Sequence, residues 1–215
     1  QVLDGVSLDF NRGFMTILGI DARHYQRLLK YSVFAARFSA ATSFGSEKML
    51  YFLGGTDGWL FPRTNEEIPF PSNAEDFAFK ALAAPMRGFN INIRNGSNFA
   101  LANAELRMPI FRYLFPNSRS SLLRNFQAVG FFDVGTAWEG TNPFSDDNPL
   151  NTTVINRSDQ VEVKVNFFRD PVVAGYGVGA RVLLFNYFIR VDYAWGIETK
   201  RVQEPILYFS LGTDF

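Results

Sequence analysis

Apolar and polar positions alternate with a period of two along seven segments of the chain, the spacing that puts successive side chains on opposite faces of a β-strand. In 205–215, Leu207, Phe209, Leu211 and Phe215 share one face, while Ser210, Gly212 and Asp214 share the other. In 187–198, Ile189, Val191, Tyr193 and Trp195 oppose Arg190, Asp192, Ala194 and Gly196. In 174–185, Tyr176, Val178, Ala180, Val182 and Leu184 oppose Gly175, Gly177, Gly179 and Arg181. Segment 125–138 sets Phe132, Val134 and Trp138 against Asp133, Gly135 and Ala137, and segment 99–111 sets Leu106, Met108 and Ile110 against Asn103, Glu105 and Arg107. Segments 14–28 and 31–44 carry Asp21, Arg23 and Arg37 on their polar faces. Helical spacing is scarce, and residues 75–85 are the best candidate for a short helix.

Most of these segments run to ten residues or more, whereas strands of soluble proteins usually have about five or six. A tilted strand of roughly nine to eleven residues crosses a bilayer. Short connections (28–30, 113–124 and 185–187) alternate with long polar ones (44–97 and 139–172), as periplasmic turns alternate with extracellular loops in outer-membrane barrels. The connection 199–204 is short but falls on the loop side by parity. A soluble β-sandwich would alternate as well. Two features weigh against it: the polar faces carry Arg, Asp and Glu in mid-strand, and the apolar faces end in Trp138, Tyr193, Trp195 and Phe215, the residues of an interfacial girdle. The fold class expected is all-β, a transmembrane antiparallel β-barrel.

Composition changes the picture mainly by exclusion. The chain has 215 residues, with 21 Lys plus Arg balanced by 21 Asp plus Glu, so there is no basic footprint for nucleic acid. A hydrophobic fraction of 47% excludes a disordered chain. The absence of cysteine excludes disulfides, thiolate metal sites and a cysteine nucleophile. With His24 as the single histidine, His-based metal sites and Ser-His triads are poor candidates. No Gly-x-Ser-x-Gly elbow is present. No catalytic residue, metal or cofactor is therefore expected. Asp146, Asp147 and Asn148 form the one Ca²⁺ candidate, against which a solvated acidic turn is the better reading. The 24 Phe fit outward faces meeting lipid and loops folded into the lumen.

Three groups of residues are more specific. The terminal Pro205-Ile206-Leu207-Tyr208-Phe209-Ser210-Leu211-Gly212-Thr213-Asp214-Phe215 resembles the β-signal by which outer-membrane barrels are recognised for assembly, carried by Leu207, Phe209, Leu211, Gly212 and Phe215. Met86-Arg87-Gly88-Phe89 lies in the long loop 44–97, after Leu53-Gly54-Gly55. It is followed by the segment from Asn103 through Glu105 and Arg107 to Pro109, and then by Gly130-Phe131-Phe132-Asp133-Val134-Gly135-Thr136-Ala137-Trp138. Together with Gly177-Val178-Gly179-Ala180-Arg181, this ordered set resembles the Omp85 superfamily, the bacterial surface antigen D15 or BamA–TamA type, from about residue 14 to 215.

The resemblance implies that the Arg87-Gly88-Phe89 tip belongs to the sixth extracellular loop and folds back into the lumen. There Arg87 is expected to meet Asp133, with Glu105 and Arg107 extending the cluster. Met86 stands where the family usually has Val, and the segment 56–85 is an insertion of unassigned role, a candidate plug or cap for the extracellular mouth. Seven strands do not close a bacterial barrel. The resemblance makes the chain the C-terminal half of a barrel of about sixteen strands, within the even-numbered bacterial range. Further strands and a periplasmic domain are expected N-terminal to Gln1.

The function implied is assembly, insertion or translocation of proteins at the bacterial outer membrane, through a weak seam at 205–215 that Gly196 and Gly212 could loosen. Expected partners are outer-membrane lipid, client outer-membrane or secreted proteins, and other outer-membrane or periplasmic subunits. Two alternatives stay open: an anchor or export pore for a fused domain such as a patatin-like hydrolase, and a passive surface or channel protein.

Overall fold

Alternating segments become strands because each can bury one face and solvate or lipidate the other. A computed structural model describes residues 13–71, 77–145, 148, 152–158, 161–166, 169–184 and 187–212. Seven long strands build one antiparallel sheet: β1 (Met15–Arg27), β2 (Val33–Gly45), β6 (Asn98–Met108), β7 (Gln127–Trp138), β10 (Val173–Leu184), β11 (Tyr187–Glu198) and β13 (Ile206–Gly212). Their spatial order is β1-β2-β6-β7-β10-β11, with β13 and the two-residue β12 (Arg201–Val202) both on the far side of β11. Neighbours in the sheet are consecutive long strands, the meander of an up-and-down barrel. The sheet is open, with β1 at one edge and β13 near the other.

Burial follows the alternation. Along β7, Phe131 and Asp133 are buried while Phe132 is exposed. Along β13, Tyr208 and Ser210 are buried while Leu207, Phe209 and Leu211 are exposed. The outward face also carries a cross-strand aromatic group, in which Trp195 stacks on Tyr176 at 5.6 Å and meets Tyr193 edge-on at 4.8 Å. Rings at the boundary of an apolar band suit a membrane–water interface.

The other face of the sheet is covered by the chain's own loop. Between β2 and β6 run β3 (Lys48–Leu53), β4 (Phe77–Ala83) and β5 (Arg94–Gly96), which form a second sheet in the order β4-β3-β5. The helix expected over 75–85 is not formed among the described residues of that range. Residues 77–83 are strand β4, paired in parallel with β3 from Lys48↔Phe77 to Leu53↔Ala83. Tertiary pairing has overridden a weak helical pattern, as it does for short apolar runs. Beneath this small sheet lies an apolar core in which Leu53, Met86, Phe89 and Ile93 of the loop pack on Phe99, Leu101, Ala137 and Val173 of the strands. Full burial of such a side chain contributes about 1.5–3 kcal/mol.

β6 stops at Met108, three residues before the expected end at 111. Pro109 has no N–H for the ladder, and Ile110 opens α1 (Ile110–Leu114) instead of continuing the apolar face. A second one-turn helix, α2 (Ser121–Asn125), is capped by Ser120 and leads into β7. The long connection after β7 contains a hairpin of β8 (Thr152–Ser158) and β9 (Val161–Asn166). Of the Ca²⁺ candidate, Asp146 and Asp147 lie outside the described residues, as does Phe215 of the terminal signal. Asn148 is buried, and its amide donates to the Pro143 carbonyl at 3.3 Å.

Candidate functional site

The Met86–Phe89 segment is presented by a turn that glycines make possible. Gly54 has a positive φ of 127°, and a Cβ there would lie 2.1 Å from the Asn90 carbonyl oxygen. Gly55 and Met86 form an antiparallel bridge, in which the Met86 N–H donates to Gly55 at 2.9 Å and the Gly55 N–H donates to Phe89 at 3.0 Å. Met86 is fully buried in the apolar core and anchors the turn. Its neighbour then points the opposite way, into the polar side of the strands.

Arg87 enters a cage of strand residues. Its Nε and Nη2 donate to Oδ2 and Oδ1 of Asp133, both at 2.8 Å, and its backbone N–H reaches Oδ2 at 3.1 Å. Its Nη1 donates to Oε1 of Glu105 at 2.8 Å. The guanidinium carbon lies 3.5 Å from the centroid of the Phe131 ring, so one face of the cation is covered by π electrons. Both Arg87 and Asp133 are at most 1% exposed. Burial opposes the charge on Arg87, but the carboxylates of Asp133, Glu105 and Asp192 outweigh it and hold the guanidinium above its usual pKa.

Around this pair the strands supply further polar groups. Asn103 donates to Oδ1 of Asp133 at 2.8 Å and to the Pro85 carbonyl at 2.7 Å, joining the strand to the loop. Glu105 also receives Arg107 of its own strand at 2.9 Å and Arg181 of β10 at 2.6 Å. Asp192 of β11 lies 4.0 Å from Arg87. The alternation of the sheet puts these groups on one face. Cross-strand pairing then brings them level, since Asn103 is opposite Asp133 and Gly179 opposite Asp192.

The backbone of the tip is held equally closely. The Tyr208 hydroxyl accepts from the Gly88 N–H at 2.9 Å and donates to the Phe89 carbonyl at 2.8 Å. Three glycines let the chains touch. A Cβ on Gly175 would fall 1.9 Å from the Arg87 carbonyl oxygen, and one on Gly196 would fall 2.5 Å from both the Gly88 oxygen and the Phe89 ring. Gly88 itself has φ +95° and lies against the Trp195–Gly196 backbone. Gly196 thus lets the loop tip approach the strand backbone. Gly212 lies beside the Arg190 guanidinium, 3.3 Å from where its Cβ would be.

The structure therefore brings Arg87, Gly88, Phe89, Asp133, Glu105 and Arg107 together. Leu207, Phe209 and Leu211 lie apart from them, on the outward face of β13. Sequence reasoning missed Tyr208, Asp192, Asn103 and Arg181 as members of the cluster. Each was visible as a residue on the polar side of an alternating strand, but cross-strand level cannot be read from one strand alone. The insertion 56–85 is woven into the same assembly. Asn65 donates to Ile91, and Ile91 to Arg63, at 2.7 and 2.8 Å. Asn92 holds the Asn65 carbonyl at 2.9 Å, and Asn95 holds that of Pro69 at 3.1 Å.

A family model described as the Omp85 superfamily domain matches residues 15–215. No curated protein matches the chain.

Proposed function

Since the chain belongs to the Omp85 superfamily, we propose that it acts in the assembly, insertion or translocation of proteins at the bacterial outer membrane. The observation that carries this reading is the burial of the Arg87–Asp133 pair under a loop that covers the inner face of the sheet. An inner sheet face covered by the chain's own loop, with Arg87, Arg107 and Arg181 set among Glu105, Asp133 and Asp192, supports a fixed internal structure rather than free diffusion. Proteins then move by way of the sheet edges and the membrane around them. The Met86–Phe89 tip positions the loop, and the residues of β7, β6 and β10 that receive it are its seat.

The partners in this reading are outer-membrane lipid, client outer-membrane or secreted proteins, and further outer-membrane or periplasmic subunits. The work is mechanical and not enzymatic. Depletion of the protein from cells is expected to lower the amount of other barrel proteins in the outer membrane. Unchanged levels of those proteins would overturn the proposal. A passive channel predicts instead a steady conductance in planar bilayers, against which the loop packed on the inner sheet face weighs.

A further inference from the structure

The end of the sheet reached by the short connections carries charge of one sign. No Asp or Glu occurs in residues 22–46, 106–132 or 171–191, although the chain as a whole balances 21 acids against 21 bases. Those stretches include the turn between β1 and β2 and the whole connection between β6 and β7. Arg27, Lys30, Arg112, Arg119 and Arg124 stand there, at the strand ends. β6 and β7 lie inside the sheet, flanked by β2 and β10, so this place is remote from either sheet edge.

The connection is tied together by specific contacts. The Tyr113 hydroxyl accepts from the Tyr31 N–H at 3.1 Å and lies 2.9 Å from the Ser32 hydroxyl, which joins α1 to the β1–β2 turn. Arg112 Nε donates to the Arg124 carbonyl at 2.9 Å, which joins α1 to α2. The Phe111 ring lies 5.0 Å from that of Phe126 and 6.4 Å from that of Phe115. Between these elements opens a cleft of about 380 Å³, lined by Tyr31, Arg112, Phe115, Ser118, Arg119 and Arg124. Among the described residues no carboxylate meets any of its three arginines. Leu114, Phe115 and Leu122 are exposed beside them. Apolar side chains next to cations suit the boundary of a bilayer, where the former meet acyl chains and the latter meet headgroups. An arginine fork matches two phosphate oxygens at once, and a basic cluster at a membrane surface attracts anionic lipid.

We infer that the cleft between α1 and α2 is a headgroup site for an anionic phospholipid. Arg112, Arg119 and Arg124 hold the phosphate, and the acyl chains lie along Leu114, Phe115 and Leu122. By the parity of the connections the lipid belongs to the periplasmic leaflet. Arg27 and Lys30, on the adjoining turn, add positive potential without lining the cleft. A lipid held there fixes the depth of the β6–β7 connection in the bilayer. The site requires strands that cross a membrane and not the assembly activity, which depletion of the protein tests separately.

The full-length protein in a neutral detergent is titrated in turn with phosphatidylglycerol, phosphatidylcholine and inorganic phosphate, and binding is followed by native mass spectrometry. Phosphatidylglycerol is expected to bind well ahead of the other two. Arg119→Gln with Arg124→Gln is expected to weaken it about thirtyfold, the effect of two charges at a membrane surface. Both side chains are exposed, so melting of this variant is expected to match wild type. Arg63→Gln with Arg201→Gln removes the same charge from exposed positions outside the cleft and is expected to bind as wild type. Equal binding of the two lipids, or a cleft variant that binds as wild type, overturns the inference. An equal loss in the two double variants overturns it as well, because net charge alone then decides. Inorganic phosphate that binds as tightly as phosphatidylglycerol also overturns it, making the cleft a site for the free anion.

Discussion

Arg87 and Asp133 meet in a bidentate pair, Nε to Oδ2 and Nη2 to Oδ1, both at 2.8 Å, with the Arg87 backbone N–H also on Oδ2. A loop residue thus grips a strand residue with side chain and main chain at once. Arg87→Lys keeps the charge but loses the fork, and a single ammonium cannot reach Asp133 and Glu105 with the same geometry. Arg87→Met leaves Asp133 buried and unpaired, a change worth about 3–5 kcal/mol. Thermal unfolding in detergent is expected to fall in the order wild type, Lys, Met. Adding Asp133→Asn to Arg87→Met is expected to recover part of the loss.

Glu105 joins three arginines: Arg87, Arg107 and Arg181. Glu105→Gln leaves those cations facing one another across a buried site. The expected result is a destabilisation of about 3–5 kcal/mol, together with protease cleavage of the loop 44–97 in folded protein. The half-exposed bridge between Lys48 and Glu139 at 2.8 Å is the contrast. Lys48→Met is expected to cost at most about 1 kcal/mol and to lose even that in high salt.

Tyr208→Phe removes one hydroxyl and strands two partners, the Gly88 N–H and the Phe89 carbonyl. Such a buried donor costs about 1–3 kcal/mol when left unsatisfied. The loop tip is expected to loosen before the sheet melts, seen as faster hydrogen exchange at Gly88 than at strand amides.

Gly175→Ala and Gly196→Ala press a methyl group into the Arg87 and Gly88 carbonyl oxygens. Both are expected to expel the tip and expose the loop to protease. Gly130→Ala, where a Cβ would meet nothing within 4 Å, is expected to behave as wild type. Equal behaviour of the three variants would refute the close-packing argument.

The seven long strands were legible because lipid on one side and charge on the other impose a strict alternation over twelve or so residues, and the match from Met15 to Gly212 is close to residue level. The Arg87–Asp133 meeting was legible only through resemblance, since the two lie 46 residues apart and no local pattern joins them. Tyr208 is not legible from the terminal strand, because its partners, the Gly88 N–H and the Phe89 carbonyl, come from a loop about 120 residues away in the chain. Strand β4 was misread because its pairing is supplied by β3 and not by its own periodicity. The roles of Gly175 and Gly196 depend on a chain that crosses them from the loop, which no reading of one strand contains.

The parallel pairing of β3 with β4 sets a length requirement. Parallel neighbours cannot be joined by a tight turn; the connecting chain must travel back the full length of the strand, which takes about a dozen residues or more. The connection from Leu53 to Phe77 must make that return journey, and Trp59 meets the last strand within it. The insertion is therefore a tether of fixed reach. Deleting residues from it would shorten the return path and pull Trp59 off β13, or else unzip β4 from β3, so sheet and edge share a single length of chain.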